Sequence, residues 1–300
     1  MSATPAPCSP NSSDPLSNGA QIVPGHPMYN QSKNVINCCD ICKKARRSVE
    51  SIIIDKRFCG PANSANGGYV CGLLAGHIDG SAEITLRLPP PLGQRLGIVA
   101  SADGAVELRE NDRILATGRA VPLHVPEIPV VTFSEAKDAV RRTPYDESNH
   151  NVSMCFVCGP ARAHGDGLRV FAGPLPARPD GKTGTFAASW VPYSSLASDN
   201  GGVAPEFVWA VLDCPTGYAC LGARHFGMSG AEMILLGRMS ARINNRPHPG
   251  DRCVIVAWPT GREGRKLFAN SALLRSDGEL LASAQTIWLL VDRKLRPGER

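Results

Sequence analysis

Hydrophobic and polar positions divide the chain in two. Residues 1–33 are rich in Ser, Pro, Asn and Gly and show no hydrophobic period, as in a flexible tail. From Ser48 onward, short apolar runs alternate with Gly, Pro, Asn and Asp clusters, the pattern of strands and turns. The pattern predicts strands at 52–54, 84–88, 96–100, 106–109 and 114–119, then at 185–191, 239–243, 253–258, 272–275 and 280–285. Asp103-Gly104 and Asp277-Gly278 are hairpin-type dipeptides between such runs. Two longer stretches read as helices: one from Gly68 to Asp79, with Tyr69, Val70, Leu73, Leu74, His77 and Ile78 on one stripe, and one reaching Asp213, with Phe207, Val208, Val211 and Leu212. Pro215 is expected to end or kink the second soon after Asp213.

These elements occur in the same order twice. Each copy runs from a strand through Asn-Gly-Gly (Asn66-Gly67-Gly68, Asn200-Gly201-Gly202) into a helix, and the second Gly precedes an Asp by 11 residues both times (Asp79, Asp213). Several antiparallel strands follow. One helix per antiparallel sheet implies an α+β architecture. Gly68, Gly72 and Gly76 form a row on the first helix. Each glycine there costs about 1 kcal/mol against Ala, so the bare backbone implies close approach of a sheet or second helix. Residues 132–142 read as a linker helix with a Thr132/Glu135 capping box, ending before Pro144. An extra strand is expected at 167–172. The boundaries are a tail at 1–47, a first repeat at 48–128, a linker at 129–150, a second repeat at 151–293 and a tail at 294–300.

Composition narrows the class. Of 300 residues, 43% are hydrophobic and 20% charged, which excludes disorder throughout. No run approaches the ~18 apolar residues of a membrane span, and the N-terminus lacks a secretory signal. A net charge of +5 suits a phosphorylated small molecule and argues little for nucleic acid. Eleven cysteines without a signal imply reduced thiols and a cytoplasmic location.

Two sequential copies of strand, Gly-Gly turn, central helix and antiparallel sheet resemble the double hotdog fold of acyl-CoA thioesterases. The similar segments are 66–70, Cys155-Phe156-Val157-Cys158-Gly159-Pro160, Asp199-Asn200-Gly201-Gly202 and 280–285. The resemblance implies a tandem hotdog, each copy a curled antiparallel sheet wrapped around a central helix. It further implies acyl-CoA as substrate, no cofactor, no metal in the catalytic site, and lipid metabolism as the setting. Such units often pair further, so a homodimer of double hotdogs fits too. In one branch a Gly-Gly pair opens the helix and an Asp within it is base or nucleophile, as Gly201, Gly202 and Asp213 are ordered here. The Asp lies one turn farther along, and Asn200 stands where His is usual. In the double-hotdog branch an Asp, a Ser or Thr and a Gln from the last strand hold the attacking water; Gln285 in Ala282-Ser283-Ala284-Gln285 resembles that Gln, with Asp213 as the Asp, while no residue stands out as the hydroxyl partner and Ser240 is the candidate for it.

The chemistry agrees with these residue types. Thioester hydrolysis needs an oxyanion stabiliser and an activated water. Free N–H groups at a helix start supply the first, and glycines admit a carbonyl close to the backbone. That marks Gly201, Gly202 and Asn200, with Gly67, Gly68 and Asn66 as their counterparts; a plain tight turn would use glycines equally well. Asp213, among Trp209, Val211 and Leu212, reads as a desolvated base with Trp209 beside the substrate. Asp79 fits a turn residue as well as a base. The first copy has Arg119 where the second has Gln285, so one working site is expected, built mainly by the second copy. Arg238 and Arg242, with Arg224, Arg262, Arg265 and Lys266, suit CoA phosphates or a solvated face. Cys39-x2-Cys42 and Cys155-x2-Cys158 could together hold zinc, with His150 and His164 as other ligands, or Cys155–Pro160 is a structural turn. Residues 38–47 faintly resemble the start of a fungal zinc-cluster DNA-binding motif, without its remaining cysteines. The alternatives to hydrolysis are a non-catalytic acyl-CoA or lipid-binding hotdog protein and a hotdog hydratase, which lacks the His it would need near Asp199.

Overall fold

The computed structural model describes residues 48–150, 152–177, 184–222 and 232–292, all within the unit spanning 45–300. The tails expected at 1–47 and 294–300 and the Cys39/Cys42 pair lie outside the described residues.

The first half of the chain runs β1 (Ser48–Ile53), α1 (Gly67–Ala75), β2 (Ala82–Leu86), β3 (Arg95–Ala100), β4 (Val106–Glu110) and β5 (Arg113–Ala120). A connecting helix α2 (Phe133–Val140) follows. The second half runs β6 (Gly173–Pro174), β7 (Phe186–Trp190), α3 (Pro205–Gly222), β8 (Glu232–Ile243), β9 (Cys253–Glu263), β10 (Lys266–Arg275) and β11 (Leu280–Asp292). Among the described residues the strands form one 11-stranded sheet, ordered β1-β3-β4-β5-β2-β8-β11-β10-β9-β7-β6, with every described pairing antiparallel. Leaving out β6, the second half repeats the strand order of the first, run outward from the join. The two halves meet where β2 pairs with β8, Ala82 opposite Ala241 through Thr85 opposite Arg238.

Side chains alternate across a sheet, and the two faces differ. Ile84, Leu108, Met239, Ile255, Leu273 and Ala284 face a core shared with Val70 and Leu74 of α1 and Val208 and Leu212 of α3. On the opposite face α2 lays Ala136 and Ala139 against Ala187 and Val254. Its capping box forms as the sequence implied: the Thr132 hydroxyl accepts from the Glu135 N–H at 3.2 Å, and the Glu135 carboxylate accepts from the Thr132 N–H at 2.7 Å.

The glycine row on α1 finds its reason where α1 crosses α3. A Cβ on Gly68 would lie 2.4 Å from Asp213 Cβ, and one on Gly72 would lie 2.5 Å from Glu206 Cα, so these helices meet backbone to backbone. Gly76 caps the helix and touches no second element.

Three sequence expectations change. The first helix stops at Ala75, leaving Asp79 in an exposed turn before Gly80 at φ 78°. The second helix continues through Pro215 to Gly222. Proline removes one N–H and crowds the preceding turn, but nearby carbonyls gain side-chain donors: the Ser271 hydroxyl donates to Leu212 O at 2.8 Å and the Thr216 hydroxyl to Asp213 O at 2.6 Å. Trp288 Nε1 in turn donates to Thr216 Oγ1 at 2.8 Å. Finally, 167–172 is buried but forms no strand. Its backbone pairs with the Cys155–Pro160 turn, Leu168 N–H to Phe156 O and Val170 N–H to Val157 O, both 2.8 Å. The buried Arg162 guanidinium ties this segment down through Met154 O, Arg57 O and the Asp166 carboxylate.

Candidate functional site

The site forms where the start of α1 meets the middle of α3. Asn66 caps α1: its Oδ1 accepts from the Tyr69 N–H at 2.9 Å. Its amide then faces α3, with Nδ2 donating to Asp213 Oδ2 at 3.4 Å. The Gly68 N–H, one of the unpaired donors of the first helical turn, donates to the same oxygen at 2.9 Å. Asp213 is 1% exposed, and its other oxygen, Oδ1, has no hydrogen-bond partner among the described residues. Burial raises the Asp213 carboxyl to about 7, against the downward pull of the Gly68 N–H and the Asn66 amide. A buried oxygen left without a partner is unfavourable, and a carboxyl raised by burial beside a cavity is a candidate for acid–base chemistry.

Beside it lies a cavity of about 250 Å³. Its walls are apolar, including Leu86, Leu221, Met233, Leu236 and Trp288, and its polar end holds Asn66, Gly67 and Asp213. The same end carries Cys155, Cys158 and Cys214, whose sulfurs lie within 4.8 Å of one another. His150 and Tyr218 complete it: His150 Nε2 is 3.2 Å from Tyr218 Oη, and its Nδ1 accepts from the Val152 N–H at 3.0 Å. Burial holds His150 below its ordinary value. Arg87, exposed, is among the lining residues, with Pro89 and Pro90.

The structure therefore brings together Asn66, Gly67, Gly68 and Asp213, with Trp209 packed beside Gly68 and with Cys155, Cys158 and His150 lining the same cavity, and it leaves Gln285, Ser240, Asn200, Gly201 and Gly202 away from them. Gln285 and Ser240 are cross-strand neighbours on the face of the sheet away from the core: Gln285 is exposed and its Nε2 donates to His124 O at 3.2 Å. Ser240 lies 3.4 Å from a Glu83 carboxylate oxygen. Glu83 also pairs with Arg119 at 2.8 Å and Arg238 at 3.6 Å. Gly201, at φ 82°, with Asn200 and Gly202 forms a turn ahead of α3, not its first residues; His248 and Arg246 are its neighbours. Pro205 is the sequence signal for this, since proline favours the first helical position. Trp209 is buried against Gly68 and Gly72. His164 is exposed. Sequence reasoning missed the cross-helix reach of Asn66 and the meeting of Cys214 with Cys155 and Cys158, because neither is a short-range pattern.

No protein-family model matches the sequence, and no curated protein matches it. Solved structures do resemble it. The tesB protein of Mycobacterium avium subspecies paratuberculosis superposes with a TM-score of 0.52 at 15% identity, covering 84% of this chain and 99% of that one. A protein described as a thioesterase from Novosphingobium aromaticivorans gives 0.51 at 15% identity, over 81% and 96%. A hot dog fold protein from Alicyclobacillus acidocaldarius gives 0.50 at 11% identity, over 82% and 94%. This chain has the hotdog fold.

Proposed function

We propose that this chain is a tandem double hotdog that hydrolyses the thioester of an acyl-CoA. The observation that carries the reading is the unpartnered Oδ1 of Asp213 at the polar end of an otherwise apolar cavity, beside the start of α1. Fold alone does not give function; the similarity to structures described as thioesterases adds weight.

In this reading the acyl chain lies along the Leu86, Met233, Leu236 and Trp288 wall. A volume of about 250 Å³ falls just below the roughly 300–1,000 Å³ of drug-sized ligand sites, so CoA stays outside, its phosphates near Arg87. The thioester oxygen meets the positive end of α1, with the Gly67 N–H as donor. Asp213 takes a proton from water as that water attacks the carbonyl carbon. The carbon–sulfur bond then breaks, the proton passes to the sulfur, and acid and CoA thiol leave. Gln285 and Ser240, on the far face, take no part in these steps. The working site is thus shared between the halves, not built mainly by the second.

The test is release of free CoA across acyl-CoA esters of increasing chain length. Wild type turns over at least one ester, and Leu236→Trp shifts the preference to shorter chains. Arg87→Ala raises KM for CoA esters more than for a thioester lacking phosphates. Saturable binding with no turnover on the whole panel would instead make this an acyl-CoA-binding protein.

A further inference from the structure

Three cysteines from two distant segments converge at the polar end of the cavity, and the hydrolytic reading uses none of them. Cys155 and Cys158 flank a tight turn; Cys214 comes from α3. All three are buried, at 4%, 6% and 7% exposure. Cys155 Sγ lies 3.8 Å from Cys214 Sγ, and the three sulfurs are mutually within 4.8 Å. Tetrahedral zinc with Zn–S bonds near 2.3 Å sets its sulfurs about 3.8 Å apart.

The turn is shaped for this. The backbone N–H groups of Val157 and Cys158 both point to Cys155 Sγ. The Gly159 N–H closes the turn on Cys155 O at 2.8 Å, where a Cβ on residue 159 would lie 2.4 Å from that oxygen. The Asn66 amide points at Cys155 Sγ and Cys214 Sγ, each 3.7 Å away, as an outer donor to the thiolates.

We propose that Cys155, Cys158 and Cys214 bind one Zn²⁺ ion as thiolates, with the fourth position turned to the cavity that all three cysteines line. Soft thiolates select zinc over hard cations such as Mg²⁺ or Ca²⁺. The ion pins the 155–158 turn to α3 at the residue after Asp213, and so fixes where that carboxylate stands. This differs from a site made by joining Cys39/Cys42 to Cys155/Cys158: Cys214 supplies the third sulfur. The inference is independent of hydrolysis, since zinc can be bound whether or not any ester turns over.

The experiment uses the full chain, expressed with zinc and purified without chelator. Metal analysis is expected to find one zinc per chain. Replacement by Co²⁺ should give a sulfur-to-cobalt charge-transfer band with the intensity of three Co–S bonds. Cys214→Ser and Cys155→Ser should lose zinc at least tenfold at matched folded content by circular dichroism, while a Cys39→Ser/Cys42→Ser double variant keeps it. If the serine variants do not fold, the cobalt spectrum of wild type decides. Zinc-free protein whose three thiols titrate as free or as a disulfide overturns the site. So does zinc that is lost with Cys39 and Cys42 but retained in Cys214→Ser, or a band weaker than two Co–S bonds.

Discussion

Asp213 is placed by its neighbours. Its Cβ sits against the bare backbone of Gly68, which removes water from one side, and its Oδ1 is buried without a hydrogen-bond partner among the described residues, in a side chain that lines the cavity. Replacing it with Asn preserves shape and removes the base. Asp213→Asn is therefore expected to retain the fold, by circular dichroism and thermal melting, and to lower kcat by roughly 100- to 10,000-fold, the span of general-base contributions. Unchanged turnover in that variant removes Asp213 from the mechanism. Asn66 has two duties, cap and donor. Asn66→Ala should cost about 1 kcal/mol of stability from the lost cap and slow hydrolysis as well, whereas Asn66→Asp keeps the cap but sets a second carboxylate against Asp213; both read out by denaturant titration beside free-CoA release.

At the level of elements, the α1–α3 crossing sets the tolerance to substitution. In an exposed helix, Gly→Ala stabilises by about 1 kcal/mol. Gly72→Ala should do the reverse, destabilising by roughly 1–3 kcal/mol as an overpacked contact, because the new Cβ meets the α3 backbone 2.5 Å away. The sign, read from urea unfolding, separates close approach from a tolerated glycine. Pro215 takes an N–H from Val211 O, and the Ser271 hydroxyl adds a bond to the next carbonyl, Leu212 O, so Ser271→Ala should cost about 1 kcal/mol through loss of that buried bond. The α2 capping box has a pH signature. Bonds from the Thr132 hydroxyl and N–H hold Glu135 below the usual carboxylate range. Its contribution is therefore present above the unfolded carboxylate value and is lost as pH falls through the lowered one. The stability gap between wild type and Thr132→Ala should narrow over that acidic window.

Across the whole molecule, β2 pairing with β8 makes one sheet of two halves, and the candidate site needs both: α1 from the first half, Asp213 from the second. A chain beginning at residue 129 would lack α1 and leave β8 without its β2 partner. An unpaired strand edge invites association, so that fragment is expected to self-associate in size-exclusion chromatography and to release no CoA. Ile84 and Met239, both fully buried and facing each other across the join, hold the halves together. Ile84→Ala should cost about 2–5 kcal/mol, more than the loss of the exposed Glu83–Arg119 pair by Arg119→Ala, which should stay within about 1 kcal/mol.

Local patterns were legible because their causes are local. Strand alternation, the Thr132/Glu135 box and the Gly68/Gly72 row follow from residues within a few positions of each other, and the repeated order of elements gave the sheet class. The row even announced that something must approach α1, though not what. Only the fold decided that α3 is the neighbour and that Asn66, Gly68 and Asp213 meet. The same packing turned Gln285 and Ser240 outward by a single step of the pleat. The physical reason is that which face of a strand or helix is buried depends on partners tens or hundreds of residues away: Asp213 is 145 residues from the Gly68 N–H that it accepts, and Cys214 is 59 from Cys155.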